Sequence, residues 1–277
     1  MKTGIVMEGG AMRGMFTCGV LDVLMENGIT FDGAIGVSAG ATFGCNLKSG
    51  QIGRALRYNK KYCSDKRYHS IRSLITTGDI YNVPFCYNEL PYKLDKWDLD
   101  AFANSPMEFY CVATDVRTGK AVYHKCMTGE KKDIIWIQAS ASMPLVSRPV
   151  EIDGGLYLDG GTSDSIPLKF MEGLGYDKIL VIETQPKDYV KGKQKFMPLI
   201  KFVFRKYPDM VRSMKDRHLM YNEEKRYIRE KEEKGEIEVI RPKEPLNISP
   251  IEKNPEELER VYQLGRTAGE EYLKATT

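Results

Sequence analysis

Ser38 lies in Gly36-Val37-Ser38-Ala39-Gly40, between an apolar run that reads as a strand, FDGAIGVS, and a small-residue run that reads as a helix, AGATFGCNLKSG. A strand-to-helix turn that lifts a side chain clear of a sheet leaves no room for bulk two residues before it and two residues after. Gly36 and Gly40 meet that demand. A hydroxyl placed this way is a candidate nucleophile at the mouth of a helix whose dipole favours an alkoxide. The plainer alternative is a tight turn with Ser38 as helix N-cap.

A nucleophilic serine needs a base. The chain has three histidines: His69 in the basic, loop-like stretch KRYHSIRS, His124 on the outer leg of a hairpin, and His218 in a charged helical region. None closes a convincing sheet strand, so each reads as a surface or structural residue. A carboxylate then has to accept the proton. Asp-Gly-Gly occurs twice in EIDGGLYLDGG, at Asp153 and Asp159. Val150 and Ile152 before the first copy, with Leu156, Tyr157 and Leu158 after it, make Asp153-Gly154 a two-residue hairpin turn. Asp159 instead closes a strand, and Gly160 and Gly161 let the chain reverse beside it. The ends of strands are where sites in open α/β sheets collect, which favours Asp159 as the base.

A third candidate is EGGAMRG, Glu8–Gly14, between the strand TGIVM and an amphipathic helix. Its glycines let the backbone approach a ligand, and unpaired N–H groups at a helix start attract negative charge. Phosphate cradle, oxyanion hole and simple turn all fit these residues. No Gly-Lys-Ser/Thr follows, against a P-loop. Ala11 occupies the middle glycine position of a dinucleotide fingerprint, and Asp32 precedes its strand instead of closing it.

These segments need a scaffold. EFYCVATDV and KAVYHKC flank the turn RTGK as a hairpin, DIIWIQASAS reads as a helix and KILVIET as a buried strand. IEVIRP is a late strand, and NPEELERVYQLGRTAGEEYLKA a closing helix with Asn254 as N-cap and Pro255 at its first position. Strands alternating with helices predict a mostly parallel sheet covered on both faces. A single domain over 1–277 is expected, with a catalytic core at 1–185, a basic helical cap at 186–235 and a terminal strand and helix at 236–277.

The net charge of +3 gives no argument for nucleic acid. The six cysteines form no C-x-x-C pair, so neither a metal nor another cofactor is expected. No signal-peptide core or membrane-length apolar run appears, which reads as a cytoplasmic protein with reduced thiols. Residues 187–234 carry 15 Lys and Arg against 8 Asp and Glu. Phe196, Ile200, Val203, Phe204, Tyr207, Val211 and Met214 fall there at helical spacing. Two readings stand: a helix packed on the core with its other face solvated, or a basic lid making peripheral contact with an anionic membrane.

GGAMRG, GVSAG and DGG in this order, together with SASMPLVSRPVEIDGGLYLDGGTSDSIPL, resemble the patatin-like phospholipases in their bacterial, cytoplasmic branch, over about Lys2 to Gln185. The resemblance implies a three-layer α/β/α fold, a Ser38–Asp159 dyad, and an oxyanion hole from Gly9, Gly10, Ala11, Met12, Arg13 and Gly14. The family has a third glycine where Ala11 stands; a methyl group there keeps the N–H but narrows the approach and opposes a positive φ. The implied reaction is hydrolysis of a lipid ester through an acyl-enzyme, without metal. A hydrolase of small esters or lysophospholipids, and a non-catalytic phosphate- or nucleotide-binding module, are the alternatives.

Overall fold

A computed structural model describes residues 1–276. In chain order its first half contains β1 (Thr3–Met7), α1 (Gly14–Glu26), β2 (Gly33–Val37), α2 (Ala39–Lys48), α3 (Arg54–Tyr62), α4 (Ile71–Thr77), α5 (Leu99–Asn104), β3 (Glu108–Asp115) and β4 (Ala121–Cys126). The second half contains α6 (Lys131–Ser140), β5 (Val150–Ile152), β6 (Gly155–Asp159), α7 (Leu168–Gly173), β7 (Lys178–Ile182), α8 (Met197–Val203), α9 (Pro208–Glu233), β8 (Glu238–Ile240) and α10 (Pro255–Thr276). A π-helical segment at Pro84–Leu94 precedes α5, and the wide turn accommodates Pro91 inside it.

Strands β3, β2, β1, β7 and β8 run parallel, and β4, β6 and β5 add antiparallel pairs. Strand alternation sorts the core into two layers. Ile5 and Met7, Phe109 and Cys111, and Leu180 and Ile182 face one side, with α1, α2 and α10 over them. Val6, Ile35, Val37, Tyr110, Val112 and Val181 face the other, covered by α7 and by Tyr221 and Ile228 of α9. Helices on both faces leave the parallel strands dry, which is why they read as unbroken apolar runs. This is a three-layer α/β/α fold.

Helix α9 is therefore one of the layers, and the packing reading of the basic region describes it. The helical spacing from Phe196 to Met214 does not mark a single helix: the chain breaks between α8 and α9, with Pro208 opening the second. Ile200, Phe204, Met210 and Met214 are buried with Val116 and Leu158. Phe196, Leu199, Phe202 and Val203 point outward and are exposed. In the C-terminal half of α9, Lys225 forms an ion pair with Glu183 at 2.9 Å, 2% and 1% exposed, and Arg241 bonds the other Glu183 oxygen and reaches Glu232.

The register of β3 decides where the ends of two other strands fall. On one edge β4 pairs along Phe109–Thr114. On the opposite edge β2 pairs in parallel up to Val37↔Val112, and β6 pairs antiparallel from Tyr157↔Asp115 to Asp159↔Ala113. The C-terminal ends of β2 and β6 thus converge from opposite directions on neighbouring β3 residues. Ser38 is the first residue past one end, and Asp159 closes the other.

Candidate active site

Ser38 takes φ 54° and ψ −118°, outside both helix and strand regions. Backbone strain of this kind costs about 1–3 kcal/mol and persists where its surroundings impose it. Here they do. A Cβ on Gly36 would stand 2.2 Å from Gly40 O, and one on Gly40 would stand 2.3 Å from Met7 O, so bulk at either position would push the elbow apart. The Ser38 N–H donates to Ser140 Oγ at 3.0 Å, and its carbonyl receives the N–H groups of Ala41 and Thr42, also at 3.0 Å.

Asp159 is 5% exposed and Ser38 8%. Asp159 N–H donates to Ser142 O at 2.8 Å, and Thr114 Oγ1 donates to its carbonyl at 2.8 Å. One carboxylate oxygen receives the Gly161 N–H at 2.8 Å. Burial raises the Asp159 pKa above the ordinary carboxylate value; the adjacent Ser38 hydroxyl, Arg217 and the Gly161 N–H pull the other way without cancelling it. The first Asp-Gly pair has a turn's geometry: Asp153 and Gly154 have φ 48° and 75° and join β5 to β6 with Ile152 opposite Gly155. Both positive φ values are those of a two-residue hairpin turn.

The loop Gly9–Gly14 runs beside Ser38, where a Cβ on Gly9 would approach Ser38 Cβ to 3.0 Å. It closes a single 3₁₀ turn, with Arg13 N–H on Gly10 O at 3.1 Å, before α1 begins at Gly14. No described hydrogen bond engages the N–H groups of Gly10 and Ala11. Ala11 sits at φ 48°, so the methyl group does not prevent the left-handed conformation; it costs about 1–2 kcal/mol. Met12 turns into the core. Glu8, itself buried, holds the loop's base: its carboxylate receives Thr184 N–H and the Tyr221 hydroxyl at 2.7 Å, tying the ends of β1 and β7 to α9.

Two cavities meet at Ser38. One, of about 110 Å³, is apolar and runs among Phe43, Tyr58, Tyr87, Leu90 and Ile137. The other, of about 300 Å³, is polar and includes Asp159, Gly9, Gly10, Arg13, Lys191 and Arg217. Ala11 and Met143 border both. No histidine lines either cavity. His124 is clamped to Asp133 at 2.9 Å and stacks on Trp136, and His218 stays 3.1 Å from Lys215 O on its own helix. His69, in the loop-like stretch KRYHSIRS, is a structural and not a surface histidine: it is buried between Tyr68 and Tyr81. The donor atoms of His124, Cys126 and Asp133 lie within 4.8 Å of one another, a juxtaposition that scattered cysteine spacing does not foretell. One Asp133 oxygen there already serves His124, and the other accepts the N–H groups of Met127, Thr128 and Gly129.

Lys191 and Arg217 carry no motif and escape sequence reading, and Ser140, which opens the stretch SASMPLVSRPV, is not singled out there. Arg217 is one cation among many in α9, and only the fold turns its guanidinium toward Gly161 O.

A serine on a strained strand-to-helix elbow thus stands beside a buried carboxylate in a three-layer α/β/α protein. The Patatin-like phospholipase family model matches residues 5–171, and a Domain of unknown function (DUF6363) matches residues 207–276. The chain belongs to the patatin-like phospholipase family, whose members are lipid hydrolases. It is 26% identical over 283 residues to the uncharacterized protein YjjU of Escherichia coli (strain K12), covering 98% of this chain and 77% of YjjU. It is also 27% identical over 198 residues to lysophospholipase nte1 of Aspergillus niger, covering 66% of this chain but only 12% of that protein's length. Among solved structures, VipD from Legionella pneumophila aligns over 99% of this chain and 67% of its own, with TM-score 0.49 and 13% identity.

Proposed function

We propose that this protein is a serine acyl hydrolase of lipid esters that works through a Ser38–Asp159 dyad. The observation that carries the reading is the convergence of β2 and β6 on β3, which sets a strained serine against a buried aspartate where two cavities join. Asp159 takes the Ser38 proton as Oγ attacks the ester carbonyl, and the N–H groups of Gly10 and Ala11 stabilise the oxyanion. Collapse of the tetrahedral intermediate breaks the ester C–O bond. The protonated carboxyl returns its proton to the leaving alcohol, and the acyl group stays on Ser38. A water molecule, deprotonated by Asp159, then releases the fatty acid.

The apolar cavity receives the acyl chain. The nte1 relatives are named lysophospholipases, which supports a single-chain phospholipid as substrate. Contact with an anionic lipid surface belongs to α8: Phe196, Leu199, Phe202 and Val203 share one exposed face, and Lys193, Lys195, Lys201, Arg205 and Lys206 flank it. Gln194, at the entry to this segment, lines the polar cavity. An active-site-directed fluorophosphonate tests the chemistry. Covalent labelling that disappears in Ser38→Ala is the expected result; a chain that takes no label, or a Ser38→Ala variant that still does, overturns the reading.

A further inference from the structure

The polar cavity holds more positive charge than the proposed dyad chemistry uses. Arg13, Lys191 and Arg217 all line it. Among the described residues none of the three is in an ion pair, although their neighbours on α9 are: Arg212 pairs with Asp209, Lys225 with Glu183, Arg226 with Glu223 and Glu230, and Lys231 with Glu172. Besides Asp159, the cavity's carboxylate is Glu8, and both its oxygens are occupied by Thr184 and Tyr221.

Two of these cations are also held in place. The Lys191 N–H donates to Asn222 Oδ1 at 2.8 Å and Asn222 Nδ2 donates back to Lys191 O at 3.1 Å, so α9 grips the lysine's backbone from both sides. The Lys191 ammonium lies over the Tyr221 ring, 4.3 Å from its centre. Arg217 Nε is anchored on Gly161 O, which leaves the far side of its planar fork for another acceptor. Three cations share the cavity with two carboxylates, Glu8 and Asp159, so positive charge is in excess there, and a bound anion relieves that excess.

We infer that Lys191 and Arg217, with Arg13 beside them, form a subsite for the phosphate carried on the substrate's leaving alcohol. This rests on the reading of Ser38 as nucleophile, and adds to it the residues that select a phosphate-bearing leaving alcohol over a neutral one. With the acyl chain in the apolar cavity and the ester at Ser38, the alcohol side of the bond enters the polar cavity. In a glycerophospholipid that side bears the phosphate. Arginine's fork and lysine's point charge together match a tetrahedral oxyanion. A neutral glyceride would leave the excess positive charge unrelieved.

The occupant also couples to pH. Burial, with Arg217 and Arg13 nearby, lowers the Lys191 pKa to about 8, against the opposing pull of Glu8 and Glu224. Lys191 is charged below that value, so phosphate binding is strong at pH 7 and falls as pH rises through about 8.

Titration calorimetry on full-length Ser38→Ala protein reads binding without turnover. Glycerol 3-phosphate is expected to bind saturably at pH 7, at least tenfold more weakly when Lys191→Met is added, and with recovery in Lys191→Arg. Absence of saturable binding overturns the subsite, as does an undiminished affinity in Lys191→Met. Inorganic phosphate is the companion probe: if it binds and glycerol 3-phosphate does not, the cavity serves free phosphate and the head-group assignment is wrong. On the catalytically intact chain, the ratio of kcat/KM for a 1-acyl-glycerol 3-phosphate to that for the monoacylglycerol of the same chain length is expected to fall at least tenfold in Lys191→Met. An unchanged ratio counts against the subsite alone. Failure of fluorophosphonate labelling counts against the hydrolase reading instead.

Discussion

At the residue scale, the central quantity is the protonation state of Asp159. An aspartate at its ordinary pKa of about 3.9 is a weak base toward a serine hydroxyl, and burial strengthens it by destabilising the charged form. In the proposed dyad Asp159 must be ionised to act as base, so activity is expected to be lost as pH falls through the raised value. The acidic limb of kcat/KM is expected above about pH 4, and a limb at or below the ordinary carboxylate value would contradict the burial argument. Asp159→Asn should lower kcat by roughly 10²–10⁴-fold. It should leave the unfolding free energy unchanged or higher, because a raised carboxylate pKa in the folded state is a cost at neutral pH that the amide removes. Stopped assays over a pH series, paired with urea unfolding of the variant, check both. Ala11 shows the opposite relation between residue and conformation: an alanine holds a left-handed φ of 48° that its methyl group opposes.

At the element scale, the region between β7 and β8 divides its labour. Helix α9 is a structural layer whose buried face carries Met210, Met214, Tyr221, Lys225 and Ile228. Helix α8 is too short to be stable alone, and docks through Ile200 while presenting an aromatic and aliphatic face outward. If that face enters the lipid interface, a glutamate at its centre should remove it. Flotation with vesicles is expected to show wild-type protein bound to anionic vesicles more than to neutral ones, and Phe202→Glu reducing the bound fraction several-fold. Equal binding to both lipid types, or an unaffected Phe202→Glu variant, would leave α8 without this role. The separation of α8 from α9 is hard to see in sequence, because apolar residues keep helical spacing straight across Pro208.

At the scale of the whole molecule, β1, β7, β8 and α9 are joined by charge buried under α9. The Glu183–Lys225 pair is fully enclosed, and burial raises the Glu183 pKa against the pull of Lys225 and Arg241. Removing one partner of such a pair leaves an uncompensated buried charge, typically worth 3–5 kcal/mol. Because Arg241 remains on the second oxygen, Lys225→Met is expected to cost about 3 kcal/mol, read as a lower urea midpoint at unchanged slope. A loss below about 1 kcal/mol would show that α9 is held by its apolar face alone. No described helix is long and apolar enough to cross a membrane.

Local rules carry much of this protein. Gly36-Val37-Ser38-Ala39-Gly40 could be read as an elbow because the steric demand is satisfied within five residues. Asp153-Gly154 could be read as a hairpin because a two-residue turn dictates its own backbone. The layer order followed from unbroken apolar strands alternating with helices. Three things lay beyond that range: the meeting of β2 and β6 on neighbouring β3 residues, the burial of His69, and the aim of Lys191 and Arg217 into the cavity at Ser38. Each depends on contacts between residues far apart in the chain. Lysine and arginine in a stretch of mixed charge look alike in sequence, and only packing decides which of them meets solvent, which meets a carboxylate, and which lines a cavity.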